Sequence, residues 1–415
     1  MIKEEKKITK NSLIDWIQLF LISLTAPFFL FPSMRYIWVL LVIPGIWIWR
    51  WIAKKHFFER TVLDWAIFIL FIHVFAACLT VPDLGYSLPK ITGILFGIIF
   101  FYSIIALLKS KNLIKLGIVS FLVAGLILST IGILGMRWTG EVYISKIVSK
   151  IESIIPKIEW NIPGAEGGIN PTALGGVLTL IVPLCLVLFV SHLKRKKENH
   201  LIPKRLFSLV FFSLILCVIM SVLFLSLSIG SWIALILSIW LLLLSWKWKK
   251  WSLVAMLIFI AFMLLITDKT SSVINALRND MGIRESLWIV GTKTISQHPW
   301  LGIGPNYVRQ IPSVRYERSH VHNHFLHTAA ELGIPSLIAY LAILIGMGYM
   351  CFVNWRKSNI GWMRIAALGL ACGQLAHLIF GMGDSIPLGA KPGIFFWFSL
   401  SLITAIYNYV RNNES

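Results

Sequence analysis

Apolar positions fill long runs of this chain, and polar positions gather in the gaps between them. A bilayer-crossing helix needs ~20 mostly apolar residues. On that length about twelve runs qualify: 13–32, 36–53, 61–81, 89–108, 113–135, 172–193, 206–227, 230–245, 251–267, 333–353, 361–381 and 393–410. Two gaps are minimal, Ser33-Met34-Arg35 and Ser228-Ile229, and predict tight helical hairpins. Two are long, 136–171 and 268–332. The pattern predicts an all-α polytopic membrane fold in three parts: nine spans over 1–267, a polar loop at 268–332, and three spans over 333–415.

Inside the long gaps the apolar period turns helical. Apolar residues at 144, 147, 148, 151, 154 and 155, with Lys and Glu opposite, predict an amphipathic helix. It would lie in the membrane interface or pack as a lid on the polar loop. In the second gap Ile283, Leu287, Val290 and Ile295 form a loose stripe, and Arg284 and Trp288 share a helix face at i, i+4. Pro299, Gly302, Gly304 and Pro305 make a compact turn. A second helical stretch begins near His322-Asn323 and runs to Leu332; Gly333 is its stop, and Pro335 starts the next span.

Composition confirms the membrane reading. The chain is 57% hydrophobic and 13% charged, against ~25% charged in soluble domains. Its 18 tryptophans suit interfacial belts. The net charge of +20 lies in short loops between apolar runs, so it reads as topology and lipid contact, not nucleic-acid binding. With the N-terminus inside, the inward connections hold 24 of the 38 lysines and arginines in short dense clusters. Both termini are then expected in the cytoplasm, and both long loops outside. The basic Met1–Lys10 segment precedes a retained first span, not a cleaved leader. All five cysteines fall within apolar runs, which excludes a disulfide framework. A phosphate-binding glycine loop and an internal repeat are both lacking, so nucleotide-driven activity has no support.

Candidate chemistry concentrates in the second long loop, which holds five of the ten histidines: His298, His320, His322, His324 and His327. His322 or Asn323 falls at a helix N-cap, where free N–H groups and the dipole disfavour imidazolium. A neutral imidazole there can take a proton as a general base. Arg284 offers a permanent guanidinium, suited to two-point binding of diphosphate oxygens. Three alternatives stay open. His320-x-His322-x-His324 with His327 resembles a zinc set, although no acidic or Cys ligand stands nearby in sequence. The histidines could be purely structural. Asp15, Asp64, His73, Gln374 and His377 within or beside spans could serve transport.

The Arg284-x-x-x-Trp288 segment, the Pro299-Trp300-Leu301-Gly302-Ile303-Gly304 turn and the His322-Asn323-x9-Gly333 signature resemble the O-antigen ligase / polysaccharide polymerase family of bacterial inner-membrane proteins. The resemblance implies a GT-C-like membrane glycosyltransferase with a large helical extracytoplasmic loop between late spans. Members move a glycan from an undecaprenyl-diphosphate carrier to an acceptor hydroxyl on a lipid or a growing glycan. The transfer inverts the anomeric centre and uses no metal or other cofactor. It also implies catalytic roles for His322 and Arg284. Asn323, Trp288, His320, Arg309 and Arg318 are the expected substrate contacts. One position departs: the family's Ser-Arg-Gly-x-Trp segment reads Ser228-Ile229-Gly230-Ser231-Trp232 here. A neutral residue at 229 forgoes a charge-assisted contact of roughly 1.5–3 kcal/mol. Lys269, Arg278 or Arg309 would have to replace it, or the chemistry is altered or lost.

Overall fold

The computed structural model describes residues 2–135, 154, 169–194, 202–244, 257, 271–317 and 320–413. Helices follow one another as α1 (Ile2–Leu30), α2 (Val42–Lys54), α3 (Asp64–Ala77), α4 (Leu84–Leu107), α5 (Lys111–Gly135), α6 (Pro171–Lys194) and α7 (Ile202–Leu225). They continue as α8 (Ile229–Leu244), α9 (Ser271–Gln297), α10 (Pro312–Glu317), α11 (His324–Lys357), α12 (Gly361–Gly383) and α13 (Ile394–Asn413). Among the described residues nine helical segments are long and apolar enough to cross a bilayer, and Asp64–Thr80 and Ile229–Leu241 are shorter apolar helices. These match eleven of the runs expected from hydropathy. The run 251–267 and the amphipathic stretch 142–155 lie outside the described residues, apart from single helical positions at Leu257 and Ile154. The protein is an all-α integral membrane protein.

Burial separates a central group of helices from a lipid-facing one. In α4, 83% of the span is buried within the protein, against 22% of Met34–Lys54. Small residues permit the close contacts at the centre. Added Cβ atoms on Gly369 and Gly373 of α12 would strike the backbone of α6 at Leu184 and Leu180, and one on Gly97 of α4 would strike Trp397 of α13. Without a hydrophobic force between helices inside lipid, such close approach is the main source of association.

The first short connection folds α2 back beside α1, where Arg50 meets Asp15 and Gln18 and Ile43 and Ile46 cluster with Ile22 and Phe29, but the second does not yield a side-by-side hairpin. Helix α8 packs on α6 and α12 and scarcely touches α7, while α1 packs mainly on α4. At the second turn Leu227 adopts φ 51° and Ser228 Oγ lies 2.7 Å from Ser231 Oγ, so the chain leaves α7 in a new direction. A short sequence gap fixes adjacency of helix ends, not of helix sides.

At one end of the bundle Arg50 is enclosed by Asp15 (2.9 Å) and Glu59 (3.1 Å) and also donates to Gln18. Lys54 joins Asp15 at 2.6 Å, and Lys109 joins Glu59 at 2.7 Å. At the other end of α4, about 36 Å away for 24 helical residues, the 299–317 segment docks on residues 80–87. There Tyr307 Oη accepts from Asp83 N at 2.7 Å and Ser87 Oγ donates to Pro305 O at 2.7 Å. The histidines cluster at this second end.

Candidate active site

The site is built on a broken helix. Asn323 caps α11: its Oδ1 accepts from Phe325 N at 3.0 Å and Leu326 N at 3.1 Å, and its Nδ2 donates to Met382 O at 3.2 Å. Gly333, at φ 83° and ψ 166°, interrupts the helix, leaving His324–Leu332 as a short separate piece. The break frees backbone groups, and the Pro-Trp-Leu-Gly-Ile-Gly turn satisfies them. Ile303 N donates to Ala330 O (3.0 Å), Gly304 N to Glu331 O (3.1 Å) and Ile334 N to Pro299 O (2.7 Å). Gly302 also has positive φ, and a Cβ there or on Gly333 would collide with the opposing main chain. Two motifs thirty residues apart are therefore halves of one joint. Leu287, Val308, Val314, Val321 and Ala330 form a small core beneath it.

His322, the residue before the cap, stands in the left-handed region at φ 53°. For a non-glycine residue that conformation is uncommon and costs energy unless its surroundings hold it. Trp288 Nε1 donates to the His322 carbonyl at 3.4 Å, and the His320 ring stacks on the His322 ring with centroids 4.2 Å apart. Asp384, just past the end of α12, completes the group. Its Oδ1 lies 3.1 Å from His320 Nε2 and 3.3 Å from His322 Nδ1, and it accepts from Ser385 N at 2.7 Å. The His322 contact is an ion-pair distance without aligned hydrogen-bond geometry, so both ring nitrogens lack a full partner.

Arg284 reaches the same place. Its Nε donates to Asp280 Oδ2 at 2.9 Å, and its Nη1 passes 3.6 Å from where a Cβ on Gly383 would stand. Its side chain keeps 21% exposure, so the guanidinium remains open to a ligand. Burial pushes the His322 pKa below its ordinary value; Asp384 opposes this, while His320 and Arg284 add to it. Although burial alone would raise the Asp384 pKa, the two imidazoles hold it well below the usual carboxylate range. His322 is thus a neutral imidazole beside a carboxylate and a fixed cation. Burial, more than the helix end invoked from sequence, keeps it neutral.

The histidines do not converge as the sequence pattern suggested. His324 turns inward against Tyr340, and His327 meets Lys90 and Glu331. The expectation of no nearby acidic group fails, because the fold delivers Asp384 from sixty residues downstream. Among the described residues His320, His322 and Asp384 place ligand-type atoms within 4.8 Å of one another. A metal could find three donors there, but a single carboxylate oxygen already faces both imidazoles.

Residues 215–341 match the O-antigen ligase family. The match covers under a third of the chain. No curated protein is similar enough to match the chain. The O-antigen ligase segment contains Arg284, Trp288, the glycine turn, His320, His322, Asn323 and Gly333, whereas Asp384 and the docking surface on α4 lie beyond it. Of the remaining expected contacts, Arg309 is exposed on the 307–310 turn, toward Lys90. Arg318 lies outside the described residues, as does Lys269. Ile229, where the family has arginine, is exposed on the first turn of α8, and a Cβ on neighbouring Gly230 would stand 3.8 Å from the Phe380 ring, one turn before Asp384.

The candidate transport residues are engaged within the protein. Asp15 pairs with Arg50 and Lys54, Asp64 accepts from Tyr102 at 2.9 Å, and Gln374 donates to Phe396 O at 3.5 Å. His73 bonds Ile69 O of its own helix, and His377 is buried against Phe396. Sequence reasoning missed Asp384, although one signal for it exists: it is the first charged residue after a long apolar span, in Gly381-Met382-Gly383-Asp384-Ser385.

Proposed function

We propose that the protein transfers a glycan from an undecaprenyl-diphosphate carrier to an acceptor hydroxyl, on a lipid-linked sugar or a growing polysaccharide, with inversion at the anomeric carbon. The observation that carries this reading is the buried His322 imidazole, its Nδ1 3.3 Å from Asp384 Oδ1, with Arg284 alongside. The acceptor oxygen attacks the anomeric carbon from the face opposite the carrier. The bond to the diphosphate oxygen breaks, and the acceptor's proton moves to His322 Nε2 while Nδ1 faces Asp384. A carboxylate in that position orients the ring and stabilises the imidazolium as it forms. Arg284 meets the charge that gathers on the departing diphosphate. His320, Trp288 and Asn323 shape the floor of the site. The base and counter-charge roles are filled by side chains, so the reading calls for no metal or other cofactor.

The basic clusters support an orientation in the bacterial inner membrane with both termini cytoplasmic. The Arg50 network is then at the inner face and the histidine site at the outer face. The catalytic unit is wider than the loop 268–332, because Asp384 belongs to the last three spans. Purified protein in vesicles supplied with a diphosphate-linked glycan lipid should move the glycan to acceptor. His322→Ala and Arg284→Ala should each lower the transfer by about a hundredfold or more. Transfer at the wild-type rate by both variants would overturn the assignment.

A further inference from the structure

The short helix His324–Leu332 ends at the Gly333 break and carries His322 at its head, so its rotation sets where the His322 ring stands. One face of it is ionisable and buried: His327 and Glu331, one turn apart, are 2% and 1% exposed. Lys90, from the second turn of α4, meets that face and is 7% exposed. Its Nζ lies 2.8 Å from Glu331 Oε2, off hydrogen-bond alignment, and 3.4 Å from His327 Nε2, and His327 Nε2 lies 3.1 Å from Glu331 Oε1. The turn that clamps the break is gripped by the same stretch of α4, through Ser87 Oγ on Pro305 O and Asn306 Nδ2 on Tyr86 O. None of these α4 residues falls in the O-antigen ligase segment.

Apolar side chains of similar size would fill this space at least as favourably, since burying two charges costs about what their attraction returns. What the pair supplies and apolar packing does not is direction. Turning the short helix by one residue, about 100°, would carry Glu331 away from Lys90 and leave both charges buried alone. We infer that Lys90, Glu331 and His327 form a latch that fixes the rotation of the short helix, making Lys90 and Glu331 positioning residues for His322. The inference rests on His322 being the base.

Kinetics and amide exchange together test the latch in the purified, reconstituted full chain. The paired variant Lys90→Met/Glu331→Leu leaves no lone buried charge and is expected to melt as the wild type does. Its kcat should fall about tenfold to a hundredfold, the scale of a misplacement near 1 Å, with KM for the lipid-linked donor unchanged. Hydrogen exchange of the 320–333 peptide should rise. The exchanged pair Lys90→Glu/Glu331→Lys should recover kcat above either single charge reversal. Wild-type kcat in the paired apolar variant, or unchanged exchange over 320–333, would overturn the latch. Amide exchange needs no turnover, so a wild-type protein that transfers nothing would sink the base assignment and leave the latch to stand or fall on exchange alone.

Discussion

The two ends of the bundle both bury charge, and they do it in opposite ways. Around Arg50 every carboxylate has a cation, and the guanidinium lacks a partner only at Nε. Around His322, partners are missing from both its ring nitrogens, from His324 Nε2, His327 Nδ1 and Ser385 Oγ. Buried polar atoms are normally satisfied, because leaving one unpaired costs about 1–3 kcal/mol. A saturated network marks a place that holds the fold. On the proposed reading, the open ring nitrogens of His322 are where the substrate binds, while the unsatisfied His327 belongs to the latch.

Breaking each end should separate the two roles. His322→Ala should lower transfer by about a hundredfold to ten-thousandfold, the range of a lost general base, with little change in melting temperature. Arg50→Ala should instead cost about 1–3 kcal/mol of stability, because it removes the buried guanidinium that ties Asp15, Gln18 and Glu59 together, while Lys54 still pairs with Asp15. The protein that remains folded should keep its kcat. Thermal melts beside transfer rates read both.

The joint at Gly333 is expected to sit between these extremes. Gly302→Ala or Gly333→Ala puts a Cβ at positive φ against opposing carbonyls. Strain of about 1–3 kcal/mol should appear in the melt, and a larger loss in kcat, because the same backbone sets His322. Equal losses in both would make the joint purely structural.

The smallest effect sharpens the comparison from the substrate's side. Ile229→Arg restores the family cation beside the unsaturated end. It should lower KM for the diphosphate-linked donor by about tenfold, since 1.4 kcal/mol is tenfold in binding and one charge-assisted contact is worth about that much. An unchanged KM would mean that position 229 lies off the donor's path.

Much of this was readable from the chain, for reasons tied to range. Apolar runs mark spans because bilayer thickness sets helix length, and Asn323 with Gly333 marks a helix because caps and stops act on near neighbours. Arg284, Trp288 and His322 stood out in the same polar stretch, and the fold does gather them. Asp384 and Lys90 did not stand out, since an acid after one span and a lysine within another acquire meaning only when α12 and α4 meet α11. The failed hairpin at Ser228-Ile229 has the same origin. Connection length fixes where the next helix starts, and packing against α6 and α12 decides where it goes.

The central claim is that burial keeps His322 neutral while Asp384 aims it, and the pH dependence of kcat/KM tests it most directly. The folded pKa lies below the ordinary histidine value of 6.5, so transfer should stay level as pH falls through 6.5 and decline only at lower pH, as the base takes up a proton. Asp384→Asn removes the group that raises the His322 pKa. Its acid limb should therefore move lower still, on a plateau reduced by the loss of orientation. An acid limb at or above 6.5 in the wild type, or an identical limb in Asp384→Asn, would contradict the account.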